Sequence, residues 1–497
     1  PMDIALLVPI YNEAAWDVFG NAAAMLDDLR AHGGAHRYTL FILSDSQDPD
    51  IAAAEEAAFA ALSARHGAVF YRRRAANTDK KVGNISDWVR GWGAAHEAML
   101  VLDADSLMTG RAIRALADEM AADPGAGLIQ SFPRLISART VFARVQQFAG
   151  LAYGWLLAEG LARWSQTEGN YWGHNAIIRT RAFAAAAGLP RVGGRLILSH
   201  DFVEASLLRR AGWSVRFVPQ ITGSFEETPG TLIDYALRDR RWCRGNLQHL
   251  KLLGTRGLHG VSRFHLFQGA AAYLMSPAWL LLLVFWTLLG VDAEANVVAY
   301  FSEANPLFPN WPPEMTHLDS AVFLVIMYAM LLVPKLTSAL AIALRPGAVR
   351  LFGGRGAFAA AVGTEIVLAV AYAPILMIQQ SGAVLRALLR RPEGWAPQRR
   401  QAAAYPLRAL LAFHWVESVL GAGLFALIAA GLVSWWLLPI AASLALAVPL
   451  SALSAVDVSR GPRGLRMDTP LSLREPQIVR AARTARDSLR GTTVAAE

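Results

Sequence analysis

Val101-Leu102-Asp103-Ala104-Asp105-Ser106 sets two carboxylates one residue apart, after a short apolar run and before a polar turn. A buried strand delivers acids in this way to the carboxyl edge of a sheet, where ligands bind in open α/β folds. Such a pair can hold a divalent cation and a phosphate, or it can merely cap the next helix. The surroundings decide between them. Ile4 to Val8, Tyr38 to Leu43, Ala68 to Tyr71, Met99 to Leu102 and Gly127 to Gln130 read as strands. Between them Ala14 to Ala31, Asp50 to Ala64, Asn84 to Ala95 and Arg111 to Ala121 read as helices. This alternation predicts an α/β fold with a mostly parallel sheet and crossover helices.

Over half of the 497 residues are hydrophobic and 17% are charged, so part of the chain is expected in a membrane. Residues 1–255 mix charged and apolar positions as a soluble domain does, residues 256–455 hold long uncharged runs, and residues 456–497 form a basic tail. The net charge of +8 gathers beside the apolar runs and in the tail. That pattern follows positive-inside orientation and gives no reason to expect a nucleic-acid partner. The one cysteine, Cys243, excludes an intramolecular disulfide and reads as a buried structural thiol. The chain enters its first strand directly, with no signal peptide expected, and Pro1 before Met2 reads as a cut from something longer.

The loops after the strands carry Pro9-Ile10-Tyr11-Asn12-Glu13, Ser44-Asp45-Ser46, Lys80-Lys81-Val82-Gly83-Asn84 and Asp103-Ala104-Asp105. An aromatic ring, acids and a lysine beside a glycine suit a nucleoside diphosphate: the ring stacks on the base, lysine neutralises phosphate, and the acid pair holds a metal. No Walker loop or Gly-x-Gly-x-x-Gly occurs, so a P-loop or Rossmann enzyme is not expected. Together with Ser199-His200-Asp201 and Arg238-Asp239-Arg240-Arg241-Trp242, these motifs resemble inverting family 2 glycosyltransferases of the membrane-embedded synthase type, akin to bacterial cellulose synthase. More narrowly, the runs Phe41 to Ser46, Gly169 to Asn175 and Arg238 to Asn246 resemble the glucosyltransferase H family of osmoregulated periplasmic glucan synthases. The match covers residues 3 to about 255 closely, and the rest in general layout.

The resemblance implies a GT-A-type catalytic domain on the cytosolic side, then an α-helical transmembrane domain with interfacial or re-entrant helices. It implies that Tyr11, Glu13 and Asp45 hold uridine, that Lys81 and Arg241 meet the diphosphate, and that Asp105 with Asp103 binds Mg²⁺ or Mn²⁺. Asp201 would be the general base; Trp242, Tyr171 and Trp172 would face the acceptor. His200 and His174 stay open between functional and structural roles, as does Trp242 between sugar plate and interfacial anchor. The family's glutamine is replaced by Arg238, a cation that could touch diphosphate instead. Family members also carry spans before the catalytic domain.

Leu266 to Gly290, Ala321 to Leu344, Leu410 to Leu432 and Ser434 to Leu453 are long enough to span a bilayer. The link 291–319 lacks Lys and Arg, whereas Arg345, Arg350, Arg355, Arg386, Arg390, Arg391, Arg399 and Arg400 form basic clusters. Keeping both clusters cytosolic predicts that 357–378 is re-entrant or interfacial. Lys335, Glu365 and Glu417 should face protein or a wet path. Residues 134–165 read as either interfacial or core helix, and the tail as disordered or membrane-bound, being too short for a cyclic-dinucleotide barrel.

The resemblance implies a bacterial inner-membrane hexosyltransferase using UDP-glucose to extend a β-1,2-linked glucan and pass it outward. Its partners would be UDP-glucose, the growing glucan, membrane lipids and a periplasmic glucan-processing protein. A cellulose, hyaluronan or mannan synthase, a lipid glucosyltransferase, or an inactive transporter are the alternatives.

Overall fold

The computed structural model describes residues 1–187, 191–192, 194–293, 320–390 and 404–494. Most of the acidic link and Arg391, Arg399 and Arg400 lie outside the described residues. The chain opens with β1 (Asp3–Ile10), α1 (Ala15–His32), β2 (Arg37–Ser44), α2 (Pro49–Ser63), β3 (Val69–Arg73), α3 (Lys80–Trp92), β4 (Ala98–Val101), β5 (Leu107–Met108) and α4 (Gly110–Ala122). It continues through β6 (Ala126–Ser131), β7 (Arg134–Ile136), α5 (Val141–Ala152), α6 (Gly154–Ser165), β8 (Ala176–Arg179) and α7 (Thr180–Ala186). The hairpin β9 (Arg191–Val192) and β10 (Arg195–Leu196) precedes α8 (Asp201–Arg210), β11 (Ser214–Val218), β12 (Ser224–Glu227) and α9 (Leu232–His249).

The main sheet runs β11-β6-β8-β4-β1-β2-β3. Only β8 lies antiparallel to its neighbours, so the sheet is mixed, and the expectation of a mostly parallel sheet holds. β5, β12 and β7 form a second small sheet. The strands are buried on both faces, one lined by Leu6, Ile42 and Leu100, the other by Leu7, Phe41 and Val101. That double burial is why they read as continuous apolar runs. Helix α3 starts four residues earlier than the periodicity suggests. Its first turn is held by Asn84, whose Nδ2 donates to the Leu43 carbonyl at 2.9 Å, and Gly83 lets the Thr78 carbonyl sit where a Cβ would be 2.2 Å away.

The membrane-region helices are α10 (Gly260–Ala293), α11 (Ser320–Leu344), α12 (Arg355–Leu388), α13 (Leu407–Phe413), α14 (Trp415–Ala429), α15 (Leu438–Ala445) and α16 (Ala447–Ser454). Among the described residues, α10, α11 and α12 contain stretches long and apolar enough to cross a membrane. Of the two expectations for 357–378, re-entrant or interfacial, the re-entrant one is not met: the stretch lies inside the unbroken 34-residue α12, about 50 Å long by helical rise. Pro374 is accommodated within it. The breaks fall instead between α13 and α14, bent by 68°, and between the Trp435–Ala445 segment and α16, bent by 53°. Lys335 Nζ lies 2.6 Å from Glu365 Oε1, and Glu417 meets Gln379 and His414, so each group sits in a polar contact inside protein. That arrangement offsets a cost of roughly 2.5–3.5 kcal/mol for a lone charge at a helix centre.

Residues 134–165 divide at Tyr153. Helix α5 is core, packing Phe142 and Phe148 against Phe358 and Tyr372. Helix α6 exposes Leu157 and Trp164, the latter edge-on to Phe264 of α10 at 5.4 Å.

The tail is not disordered. It forms α17 (Arg463–Arg466), α18 (Pro470–Leu473) and α19 (Gln477–Val494), and α19 returns to the catalytic domain. Ile478, Val479, Ala482, Ala485 and Leu489 enter the core against α1 and α2, while Arg486 pairs with Asp17 at 3.0 Å. Its arginines therefore form the outer face of an amphipathic helix whose apolar face completes a soluble core. Leu489, fully buried, tests this: Leu489→Ala should cost about 2–5 kcal/mol. Thermal unfolding of the purified protein checks it, and an unchanged midpoint would contradict the packing.

Candidate active site

The site lies at the carboxyl edge of the main sheet, where the loops after β1, β2 and β4 meet the segment before β8 and the starts of α3 and α8. Asn12, at φ 51°, ties two of these loops: its N–H donates to Ser46 Oγ at 2.8 Å and its Oδ1 accepts from Gln47 N at 3.1 Å. Tyr11 and Glu13, both half-buried, are thereby set beside the Asp45 loop.

Asp45 is 2% exposed, and Arg74 takes both its oxygens at 2.6 and 2.7 Å. Each oxygen of the carboxylate expected to meet uridine is thus engaged by Arg74. Arg74 also donates to the Thr78 carbonyl at 2.9 Å, the Lys80 carbonyl at 3.2 Å and Asp87 at 2.9 Å. It thus fixes the left-handed pair Asp79 and Lys80, φ 55° and 54°, from which Lys81 projects. Arg74→Ala should raise the donor KM at least about tenfold, since it leaves a buried Asp45 unpaired and frees the Lys81 loop. Donor titration measures this, and a KM within twofold of the parent would contradict it.

Lys81 Nζ contacts Asp103 Oδ1 and donates to the Gly173 carbonyl at 2.7 Å. Burial acts against its charge, yet Asp103 and Asp201 hold its pKa above the ordinary lysine value. Asp103 is secured by its backbone N–H to Ser106 Oγ at 2.9 Å. On the other side of Gly173, which has φ +96°, lies Asp201: a Cβ at residue 173 would fall 2.8 Å from Oδ1 and 2.9 Å from Oδ2. The lysine, the acid pair and Asp201 are thus joined through one glycine.

Asp105 belongs to a second group. His174 Nε2 is 3.2 Å from Glu226 Oε2. Burial pushes the Glu226 carboxyl up, and Asp105 and Asp103 add to that shift against the pull of His174. Burial would lower His174, but Glu226 and Asp103 hold it above its usual value. Negative charge is therefore concentrated around Asp105 and Asp103. Two partly exposed carboxylates in such a field are hard oxygen donors, a set that fits Mg²⁺ or Mn²⁺.

Helix α9 borders the same cluster. Arg238 stacks over the Trp242 ring at 4.4 Å, and Trp242 remains 47% exposed. The Arg238 cation therefore packs against the indole and interacts with Glu226 and Asp105. Burial, together with Arg244 and Arg241 of α9, pushes the Lys80 amine down, a cationic cluster suited to phosphate. Trp172 donates its backbone N–H to Gln130 Oε1 at 3.0 Å and sets its ring edge-on to Phe217 at 4.9 Å. Tyr171 is 2% exposed and packed with Leu7, Phe41 and Val101, so it lies beneath the cleft floor rather than facing an acceptor. In this segment side chains alternate, with Tyr171 and Asn175 buried and Trp172 and His174 partly exposed. Arg74, Glu204 and Glu226 were not legible as site residues. Glu204 alone had a signal, its i,i+4 spacing from His200.

Residues 5–185 match Glycosyl transferase family 2 and residues 98–337 match Glycosyl transferase family group 2. A glucans biosynthesis glucosyltransferase H from Rhodopseudomonas palustris is 44% identical over 98% of this chain and 68% of its own length. One from Vibrio cholerae is 45% identical over 97% of this chain and 68% of its own. The chain belongs to the glucosyltransferase H family. It is a glycosyltransferase of family 2, with the GT-A-type sheet of that family in its first half. Among solved structures it is similar to a mannosyltransferase from Pyrobaculum calidifontis in complex with GDP-Man and Mn²⁺, at TM-score 0.46 and 15% identity, covering 78% of this chain and 88% of that one.

Proposed function

We propose that this family member uses UDP-glucose to lengthen a β-1,2-linked glucan at the cytosolic face of the bacterial inner membrane and passes the product outward, supplying the backbone of periplasmic glucans. The observation that supports the reading is the run of close approaches from Asp103 through Lys81 and Gly173 to Asp201.

Tyr11 and Glu13 hold the uridine, with Asp45 acting through Arg74. Lys81 and Arg241 neutralise the diphosphate. A divalent cation held by Asp105 with Asp103 would offset the charge that builds on the departing diphosphate. Asp201 takes the proton of the acceptor hydroxyl as its oxygen bonds to the anomeric carbon. The bond from that carbon to the diphosphate oxygen breaks, its electron pair leaves on UDP, and the configuration inverts. Trp242 and Trp172 offer apolar faces to the growing sugar chain.

Helix α9 joins this site to the membrane helices. Asp239 accepts from Tyr273 Oη at 2.8 Å and Gln380 Nε2 at 2.9 Å, and Arg240 donates to Gln379 at 2.6 Å. These contacts support a path from the acceptor side into the membrane domain, 256–455, while 456–497 serves as a cytosolic strap. A periplasmic glucan-processing protein would receive the product. Incubating the purified protein with UDP-glucose and Mg²⁺ or Mn²⁺ should release UDP and give a β-1,2-linked product by linkage analysis, both lost on chelation. No turnover with any UDP-sugar would overturn the reading.

A further inference from the structure

His200 and Glu204 take no part in the transfer as described, yet both are buried beside its base. His200 stands at the N-terminus of α8 but makes no side-chain cap. Its Nδ1 lies 2.9 Å from Glu204 Oε1 and 3.2 Å from Asp201 Oδ1. An adjacent residue at a helix start ordinarily points elsewhere; here the imidazole turns back between two carboxylates, one turn of helix apart. Burial alone would push the imidazole down, but Asp201 and Glu204 hold its pKa above the ordinary value. Burial pushes the Glu204 carboxyl up, opposed by His200. Burying an acid without a partner is costly, and the contact with His200 is what satisfies Glu204.

We infer that His200 is a positioning residue for the sugar transfer: its Nδ1, hydrogen-bonded to Glu204, also lies within ion-pair distance of Asp201 Oδ1 and so leaves Oδ2 to the acceptor hydroxyl. Gly173 bounds the same carboxylate on its other face. A carboxylate attached by a single bond to the first residue of a helix would otherwise rotate, and a base displaced by about 1 Å loses about two orders of magnitude in rate. This inference rests on the reading of Asp201 as the base.

His200→Ala should lower kcat about 100-fold with the KM for UDP-glucose within about twofold. His200→Asn, whose amide nitrogen can stand where Nδ1 stood, should recover kcat to within about tenfold of the parent. If the alanine variant fails to fold, Glu204→Leu, which removes the acceptor of Nδ1, is read in its place, with the same split of lowered kcat and unchanged KM. A kcat within threefold of the parent, kcat and KM shifting together, or an asparagine variant no better than alanine would overturn the assignment. Asp201→Asn separates the two levels: an active Asp201→Asn removes the base reading, whereas an inactive one beside an unaffected His200→Ala removes only the role of His200.

Discussion

Asp201→Asn should lower kcat by about 10³-fold while the protein still folds and binds UDP-glucose. The substitution keeps size and hydrogen-bonding shape but removes the carboxylate that, in the proposed mechanism, takes the acceptor's proton. Asp201 is suited to that role by placement: it starts α8, is partly exposed, and its carboxylate lies against Gly173 and His200. Binding should survive because Lys81 keeps its contacts with Asp103 and the Gly173 carbonyl when the Asp201 charge is removed. Radiolabelled transfer measures the rate and calorimetric titration the affinity. Turnover within tenfold of the parent would mean that another group takes the proton.

Gly173→Ala should cost at least about 100-fold in kcat, although the new group is one methyl. Two effects coincide. The backbone at φ +96° lies where residues with a Cβ are strained, and the Cβ would sit 2.8 Å from the Asp201 carboxylate. Relief requires moving Asp201, or moving the carbonyl that receives Lys81 at 2.7 Å. Either shift separates base from leaving-group side. The measurement is kcat and donor KM on the folded variant, and a kcat within threefold of the parent would show that the glycine is not a close-approach position.

The fold was legible because β1, β2, β4 and β6 are buried on both faces, which leaves an apolar run that no amphipathic helix imitates. The antiparallel insertion of β8 was not, since Ala176 to Arg179 is short and follows a segment whose own backbone carries the site. Lys81, Asp103, Asp105 and Asp201 could be found because each sits in a motif at the edge of an element. Arg74 could not: it ends the run Arg72-Arg73-Arg74, and only the folded β2 and β3 show that this arginine, rather than its neighbours, reaches Asp45. Tyr171 misled because aromatic composition does not tell which side of the backbone a ring occupies. The tail misled for a related reason. Arginine spaced along α19 looks like a surface-binding segment until Ile478 and Leu489 are seen to fill the core beside α1. In α12, basic clusters at both ends argued against a crossing, whereas apolar length fixed a continuous helix.

The division of labour across Gly173, donor and metal on the Asp105 side and acceptor on the Asp201 side, is tested most directly by titrating UDP-glucose in the presence of Mn²⁺ into Asp105→Asn and Asp201→Asn, with transfer measured in parallel. Both variants should be inactive; Asp201→Asn should bind donor as the parent does, and Asp105→Asn should lose the metal-dependent part of that binding. The reverse pattern, or near-parental transfer by Asp105→Asn, would contradict it.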